Sequence, residues 1–62
     1  MTGEEYSAAR KQLGLTQQAL AQLVGVAVST IQAREQSPEK DVSTEAAIAI
    51  GSVRVVRAAG GT

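Results

Sequence analysis

The chain has 62 residues, with six basic and six acidic side chains, so its formal net charge at pH 7 is zero. It contains no cysteine and no histidine, which excludes a disulfide framework and a Cys/His metal site, and we expect neither a metal nor a cofactor. No apolar segment approaches the roughly 18 residues of a membrane span, and no secretory leader is recognisable. We therefore expect one cytoplasmic domain, residues 1–62, without membrane contact.

The composition also bears on two classes of function. Histidine, cysteine, paired catalytic carboxylates and a phosphate-cradling glycine loop are all lacking, so we expect no enzyme activity. Nucleic-acid binders usually carry an excess of basic residues, because neutralising phosphates supplies much of their affinity. A neutral chain can bind DNA only if its charges are segregated on the surface.

The first predicted helix covers about residues 3–13. Thr2 followed three residues later by Glu5 is a capping-box pattern, and Gly14 is suited to end the helix with positive φ. One face at helical spacing carries the residues Tyr6, Ala9, Arg10 and Leu13.

Two short helices and a glycine turn follow, at about residues 17–36. Thr16 is the predicted N-cap of a helix over 17–24, Gly25 ends it, and a further helix over 28–36 has Ile31 as its apolar anchor. Two helices joined by such a turn are typical of the helix-turn-helix unit, whose second helix enters the DNA major groove. From periodicity alone, an ordinary surface helix fits residues 28–36 equally well.

The remaining third of the chain predicts a loop and a last helix capped by Ser43. The core-facing stripe of that helix is Ala46, Ala49, Ile50 and Val53. A second apolar set is either a dimer interface or an additional core stripe, and consists of Ile48, Val55, Val56 and Ala59. The β-branched residues at 53–56 also allow a strand or a frayed end there, and Gly60 and Gly61 should terminate any helix.

Several spacings together resemble the phage repressor and Cro-like (XRE-type) helix-turn-helix family. The matching positions are Arg10, Gly14-Leu15-Thr16-Gln17, Leu20-Ala21, Gly25-Val26, Ile31 and Glu35. The resemblance covers residues 6–35 and implies an all-α, lambda-repressor-like domain of four or five helices. It further implies binding to double-stranded operator DNA, commonly as a homodimer on an inverted repeat.

The resemblance assigns roles to particular residues. Arg10 and Glu35 should form a structural ion pair between the first and third helices, because a lone charge on the core face would be costly. From the chemistry of the side chains we also expect phosphate contacts from Thr16, Gln17, Arg34, Lys40, Ser43 and Thr44, although Arg34 stands where the family often has an aromatic or apolar residue. For Gln17 the alternative is a glutamine that only faces solvent.

Base contacts are expected from the third helix, through Val28, Ser29, Gln32 and Ala33. The chain departs from the family here, because Ala27 cannot cap the helix, whose start could shift or fray, and Val28 cannot hydrogen-bond a base edge. Gln32 is suited to adenine, and valine to a thymine methyl, so DNA shape should contribute to reading. The alternative is a retained motif with weak DNA affinity.

These features predict a repressor of phage or mobile-element type, encoded by a bacterium or a phage. Such proteins often regulate their own operon, including anti-CRISPR and toxin–antitoxin operons, and the sequence does not select among these. The alternative function is an antitoxin or adaptor that uses the fold mainly to bind a protein.

Overall fold

A computed structural model describes residues 1–59 and contains four helices in that range: α1 (Gly3–Gln12), α2 (Gln17–Val24), α3 (Val28–Gln36) and α4 (Thr44–Ala59). The predicted all-α class is confirmed, with four helices in the described part of the chain. The predicted termination at Gly60 and Gly61 lies outside the described residues.

Both ends of α1 are capped by local hydrogen bonds. The Thr2 amide donates to Glu5 Oε1 at 2.9 Å and the Glu5 amide donates to Thr2 Oγ1 at 3.2 Å, which is the predicted capping box. At the other end Gly14 has φ +72°, and its amide and that of Leu15 donate back to Lys11 and Arg10 carbonyls. This Schellman arrangement reverses the chain into α2.

The turn between α2 and α3 depends on Gly25, whose φ of +76° lies in the left-handed region that side chains disfavour. The amides of Gly25 and Val26 both donate to the Ala21 carbonyl, at 2.9 and 3.0 Å. Thr16 caps α2 by accepting from the Ala19 amide at 3.0 Å. The bounds of both helices agree with the sequence prediction.

The core lies where all four helices meet. Its buried members are Tyr6, Ala9, Leu20, Ala21, Ile31, Ala46 and Ile50. Half-buried apolar residues surround this cluster, including Leu13, Leu15, Val24, Val26, Val42 and Val53. Tyr6 and Ala9 of α1 and Ala46 and Ile50 of α4 lie on the faces that periodicity predicted, and Ile31 is the buried apolar residue of α3.

The start of α1 packs closely on the end of α3 at Gly3. A Cβ on Gly3 would lie against the main-chain carbonyl oxygen of Arg34 and 2.6 Å from that of Ser37, so a larger residue fits there only if the backbone shifts. The amides of Gly3 and Glu4 donate to the Lys40 and Pro38 carbonyls, at 2.8 and 3.1 Å. These bonds satisfy free N–H groups of α1 and fix the loop that leads to α4.

The last helix is continuous from Thr44 to Ala59, so the suggested strand or frayed end at residues 53–56 is wrong. Ser43 caps it as predicted, because its Oγ accepts from the Ala46 amide at 3.2 Å. Ala46 and Ile50 are buried, and packing of this face on the core overrides the weak helix propensity of the valines.

Candidate nucleic-acid interface

The outward face of α3 carries all four residues predicted to contact bases. Val28, Ser29, Gln32 and Ala33 are exposed, whereas Ile31 on the opposite side is fully buried. Since the core fixes α3 through Ile31, the exposed side chains project from a rigid element rather than from a loop. Apart from Gln32 these predicted residues have short side chains, and the Gln32 amide can make two hydrogen bonds to a base.

Gln36 belongs to the same face but was not among the residues predicted to contact bases. It is exposed, ends α3, and follows Gln32 by four residues, which places it one turn further along the helix. That spacing was a usable signal. The outward face therefore carries two amide side chains in addition to the hydroxyl of Ser29.

The missing cap does not displace α3. Ala27 occupies the N-cap position without a side-chain hydrogen bond, yet the helix begins at Val28, and the Thr30 amide donates to the Ala27 carbonyl at 3.0 Å. The suggested shift or fraying of the helix start is not observed. Because Ala27 has no capping side chain, main-chain N–H groups remain free at the N-terminus of α3.

Arg10 and Glu35 form the predicted ion pair. Arg10 Nε donates to Glu35 Oε2 at 2.7 Å and Nη2 donates to Oε1 at 3.0 Å, so the contact is bidentate. Arg10 Nη1 also donates to the Leu15 carbonyl at 2.7 Å. The two side chains are only 11% and 9% exposed, and they connect α1, the start of α2 and the end of α3.

Gln17 completes this network from the first turn of α2. Its Nε2 donates to Glu35 Oε1 at 3.3 Å, and the residue is half-buried. The alternative of a glutamine that only faces solvent therefore does not hold. One amide hydrogen is directed at Glu35, which leaves the second available to another acceptor.

The network keeps both charges in place. Burial raises the pKa of Glu35, but hydrogen bonds from Arg10, Gln17 and Ser7 outweigh that effect, so the net pKa lies below its ordinary value. The hydrogen bonds that Arg10 donates to Glu35 raise the pKa of Arg10 in turn. Glu35 is thus ionised at neutral pH, and Arg10 is unavailable to DNA phosphate.

A second polar region brings together three of the residues predicted to contact phosphate. Arg34, Lys40 and Ser43 line one surface depression of about 340 Å³, next to Ala33 at the edge of the α3 face. Thr44 is exposed at the start of α4. Asp41 lines the same depression, and its carboxylate lowers the positive charge there. The amino group of Met1 lies 3.9 Å from this carboxylate and partly compensates its charge.

Arg34 is held in a way that the sequence did not reveal. Its Nη1 donates to the Tyr6 hydroxyl at 3.2 Å, and its guanidinium lies 5.7 Å from the centre of the Tyr6 ring. Tyr6 is fully buried, so this pair joins α1 to α3 beside the Gly3 contact. The half-buried guanidinium still offers donors to the depression.

The four residues of the suggested interface do not belong to the core. Ile48, Val55 and Val56 are 63%, 68% and 67% exposed, and Ala59 is exposed as well. The reading of this set as an additional core stripe is therefore wrong. Leu23 of α2 is a further exposed apolar residue and was not among the predicted interface residues.

The fold and this face together define a helix-turn-helix protein: two helices set by a glycine turn, with the second exposed along its polar, small-sided surface. A helix-turn-helix family model matches residues 7–53. The chain belongs to this family, of the phage repressor and Cro-like (XRE) type, and is a DNA-binding helix-turn-helix regulator. Searches of curated proteins and of solved structures gave no significant match.

Two further findings concern residues 1–59. Within this range no cluster of acidic residues is suited to hold a metal ion. Over the same residues, none of the helices has the length and hydrophobicity needed to cross a membrane.

Proposed function

We propose that this protein is a dimeric transcriptional repressor that occupies an inverted-repeat operator, with α3 in the major groove and the start of α2 on the DNA backbone. The observation that carries the proposal is the exposed α3 face, held rigidly by Ile31 and by the Arg10–Glu35 pair within a fold of the XRE type. Occupation of the operator blocks transcription sterically.

Base reading rests mainly on Gln32. Its amide can donate to N7 and accept from N6 of adenine, a bidentate contact worth roughly 1–3 kcal/mol of discrimination. Ser29 adds one hydrogen bond, and Gln36 reaches the same groove one turn later. Val28 and Ala33 contact thymine methyl groups, so the preferred half-site is rich in A·T pairs, and groove shape contributes to selection.

Backbone contacts come from two groups of residues. Thr16 and the free amide hydrogen of Gln17 lie at the start of α2, where main-chain N–H groups also favour a phosphate. The second group is Arg34, Lys40, Ser43 and Thr44 around the depression. With only two cationic side chains among these contacts, binding falls less steeply with salt than is usual for DNA-binding proteins.

A dimer supplies the specificity that one small helix lacks. Two copies of α3 placed about 34 Å apart read two half-sites one helical turn apart. The exposed apolar residues of α4, among them Ile48, Val55, Val56 and Ala59, support a homodimer through that helix. We further propose that the protein is of phage or mobile-element type and represses its own operon.

The proposal is tested by a gel shift of the purified protein on duplex DNA from upstream of its own gene, at moderate salt. We expect Gln32→Ala and Ser29→Ala to weaken binding, whereas Gln22→Ala, an exposed glutamine on α2, leaves it unchanged. Equal binding by all four proteins would refute the role of α3. If the wild type bound none of a set of duplexes that together cover the DNA upstream of its gene, the proposed repressor function would be refuted.

One observation favours the second candidate, an antitoxin or adaptor that binds a protein. An apolar groove of about 530 Å³ lies between α2 and α4, with Leu23 56% exposed at its edge, and the chain has no net charge. The exposed α3 face and the family match both support DNA binding, whereas the second candidate has only this groove and the neutral charge in its favour, so the DNA-binding function is the better supported one. The same gel shift separates the two candidates.

A further inference from the structure

Tyr6 is the one aromatic residue of the chain, and its hydroxyl lies inside the core. The residue is fully buried, and a buried hydroxyl is costly unless it is hydrogen-bonded. Among residues 1–59, the hydrogen bond of this hydroxyl is the one that Arg34 Nη1 donates to it at 3.2 Å. The reason for a hydroxyl at this position therefore has to involve Arg34.

Arg34 is held through both its main chain and its side chain. Its carbonyl oxygen lies so close to Gly3 that a Cβ there would fit only after a backbone shift. Its guanidinium is half-buried, lies 5.7 Å from the centre of the Tyr6 ring and donates to the Tyr6 hydroxyl. An arginine that is free in solvent loses rotamer entropy when a ligand orders it. In this chain the core has already ordered Arg34.

The charge of Arg34 is not neutralised within the described residues. The ion pairs in this range join Arg10 to Glu35 and the amino group of Met1 to Asp41. Arg10 is also held by hydrogen bonds, but Glu35 neutralises its charge. Of the five N–H donors of Arg34, one is used inside the chain. An ordered guanidinium with free donors and no carboxylate is suited to an anion from outside the chain.

The position of Arg34 indicates which anion this is. Arg34 lines the depression together with Lys40 and Ser43, and Ala33 of the outward α3 face lines the same depression. When a recognition helix lies in the major groove, groups beside its base-reading face are directed to the DNA backbone. The anion is therefore a backbone phosphate that flanks the bases read by α3.

We propose that Tyr6 is a positioning residue for DNA binding, whose hydroxyl and ring hold Arg34 in place for a backbone phosphate before DNA arrives. Tyr6 is fully buried, so it acts through Arg34 and does not itself contact DNA. This role rests on the proposed function, because it requires the α3 side of the molecule to bind DNA.

Such preorganisation matters more in this chain than in a strongly basic DNA-binding protein. The net charge is zero, so long-range attraction and counterion release contribute little to affinity. Affinity then depends on how little each contact has to be ordered on binding. Immobilising one long side chain weakens binding by about three- to tenfold. The same factor is the effect expected from releasing Arg34.

The first test measures binding of an upstream duplex that the wild type shifts in the gel. Tyr6→Phe keeps the ring and removes the hydroxyl, so it should raise Kd by about three- to tenfold. The slope of log Kd against log salt should stay unchanged, because the guanidinium charge is retained. Arg34→Ala should raise Kd by about tenfold or more and lower the slope by about 0.9, the value for one phosphate contact.

The second test separates positioning from an effect on the fold. In an Arg34→Ala background, Tyr6→Phe should change Kd by less than about twofold, because the side chain through which the hydroxyl acts is gone. In a Lys40→Ala background, Tyr6→Phe should keep its full effect. Ile50→Val is the stability control: it also removes a small group from a fully buried residue, and it should lower Tm without changing Kd.

The third test uses the protein without DNA. The chain has four arginines, so their side-chain Nε–H signals in an NMR spectrum can be assigned by substitution. The order parameter of the Arg34 Nε–H group should fall in Tyr6→Phe to below about 0.6, the range of a flexible group. Arg10, which is bound to Glu35, is the internal reference and should not change.

Each test has an outcome that would overturn the positioning role. These outcomes are a duplex Kd that Tyr6→Phe leaves unchanged, equal weakening by Tyr6→Phe with and without the Arg34 side chain, and an Arg34 order parameter that is the same in both proteins. All three leave the proposed function intact, since the wild type still binds the duplex. A wild type that binds none of the upstream duplexes would refute the proposed function, and the positioning role with it.

Discussion

Replacing Arg10 with alanine is the most informative perturbation of the fold. The guanidinium makes three hydrogen bonds, two to Glu35 and one to the Leu15 carbonyl, in a region where both charged side chains are about one-tenth exposed. Arg10→Ala leaves the Glu35 carboxylate buried without its cation. Breaking a buried pair in this way typically costs about 3–5 kcal/mol.

The lower end of that range fits this protein best, because Gln17 still donates to Glu35 and solvent can enter the space left by Arg10. A loss of about 3 kcal/mol is large for a 62-residue chain, whose total stability at 0.05–0.15 kcal/mol per residue is about 3–9 kcal/mol. The corresponding decrease in Tm is about 12–24 °C.

Thermal melting followed by circular dichroism measures this decrease. Lys11→Ala is the matched control, since it removes the neighbouring positive charge at an exposed position of α1 and should change stability by less than about 0.5 kcal/mol. An Arg10→Ala protein that melted within a few degrees of the Lys11→Ala protein would refute the structural role of the pair.

Further predictions follow from the same contacts. Hydrogen bonds hold the pKa of Glu35 below its ordinary value of 4.5. The contribution of its ionised carboxylate to stability is therefore complete above pH 4.5 and is lost as the pH falls through the lower pKa of the folded state. In urea titrations at pH 3–7, Glu35→Gln should lose less unfolding free energy on acidification than the wild type. Gly3→Ala should cost about 1–3 kcal/mol in chemical denaturation, because its Cβ meets two backbone carbonyls, whereas Gly51→Ala, with open space around it, should not destabilise the chain. Gly25→Ala should lower the free energy of unfolding by about 1–2 kcal/mol, because alanine disfavours the left-handed φ at this position. An unchanged midpoint of urea denaturation would contradict the conformation assigned to the turn.

Local signals made much of the fold predictable. Capping residues such as Thr2 and Thr16 and the glycines at 14 and 25 mark helix ends through hydrogen bonds between near neighbours, so the bounds of α2 and α3 could be predicted correctly. The family resemblance supplied the long-range Arg10–Glu35 contact, which spacing alone does not determine.

Other features depend on contacts between distant parts of the chain and were not predictable. The Gly3 contact requires knowing that the end of α3 lies against the start of α1, and Arg34 is directed to Tyr6 by the same packing. The valines at 53–56 have weak helix propensity, which misled the sequence prediction, because the core contacts of Ile50 decide the conformation.

The candidate site likewise has features that follow from local sequence and features that require the folded structure. Exposure of Val28, Ser29, Gln32 and Ala33 followed from the period of the helix, once Ile31 was recognised as the anchor. Grouping Arg34 with Lys40 and Ser43 required the loop geometry.

The central claim is that the outward face of α3 reads DNA, and an NMR titration of the labelled protein with the upstream duplex tests it most directly. We expect the largest amide shift changes at residues 28–36 and at Thr16 and Gln17, with the Gln32 side-chain amide among them. Largest changes at Leu23, Val53 and Val56, with α3 unaffected, would contradict the claim and favour a protein-binding role for this fold.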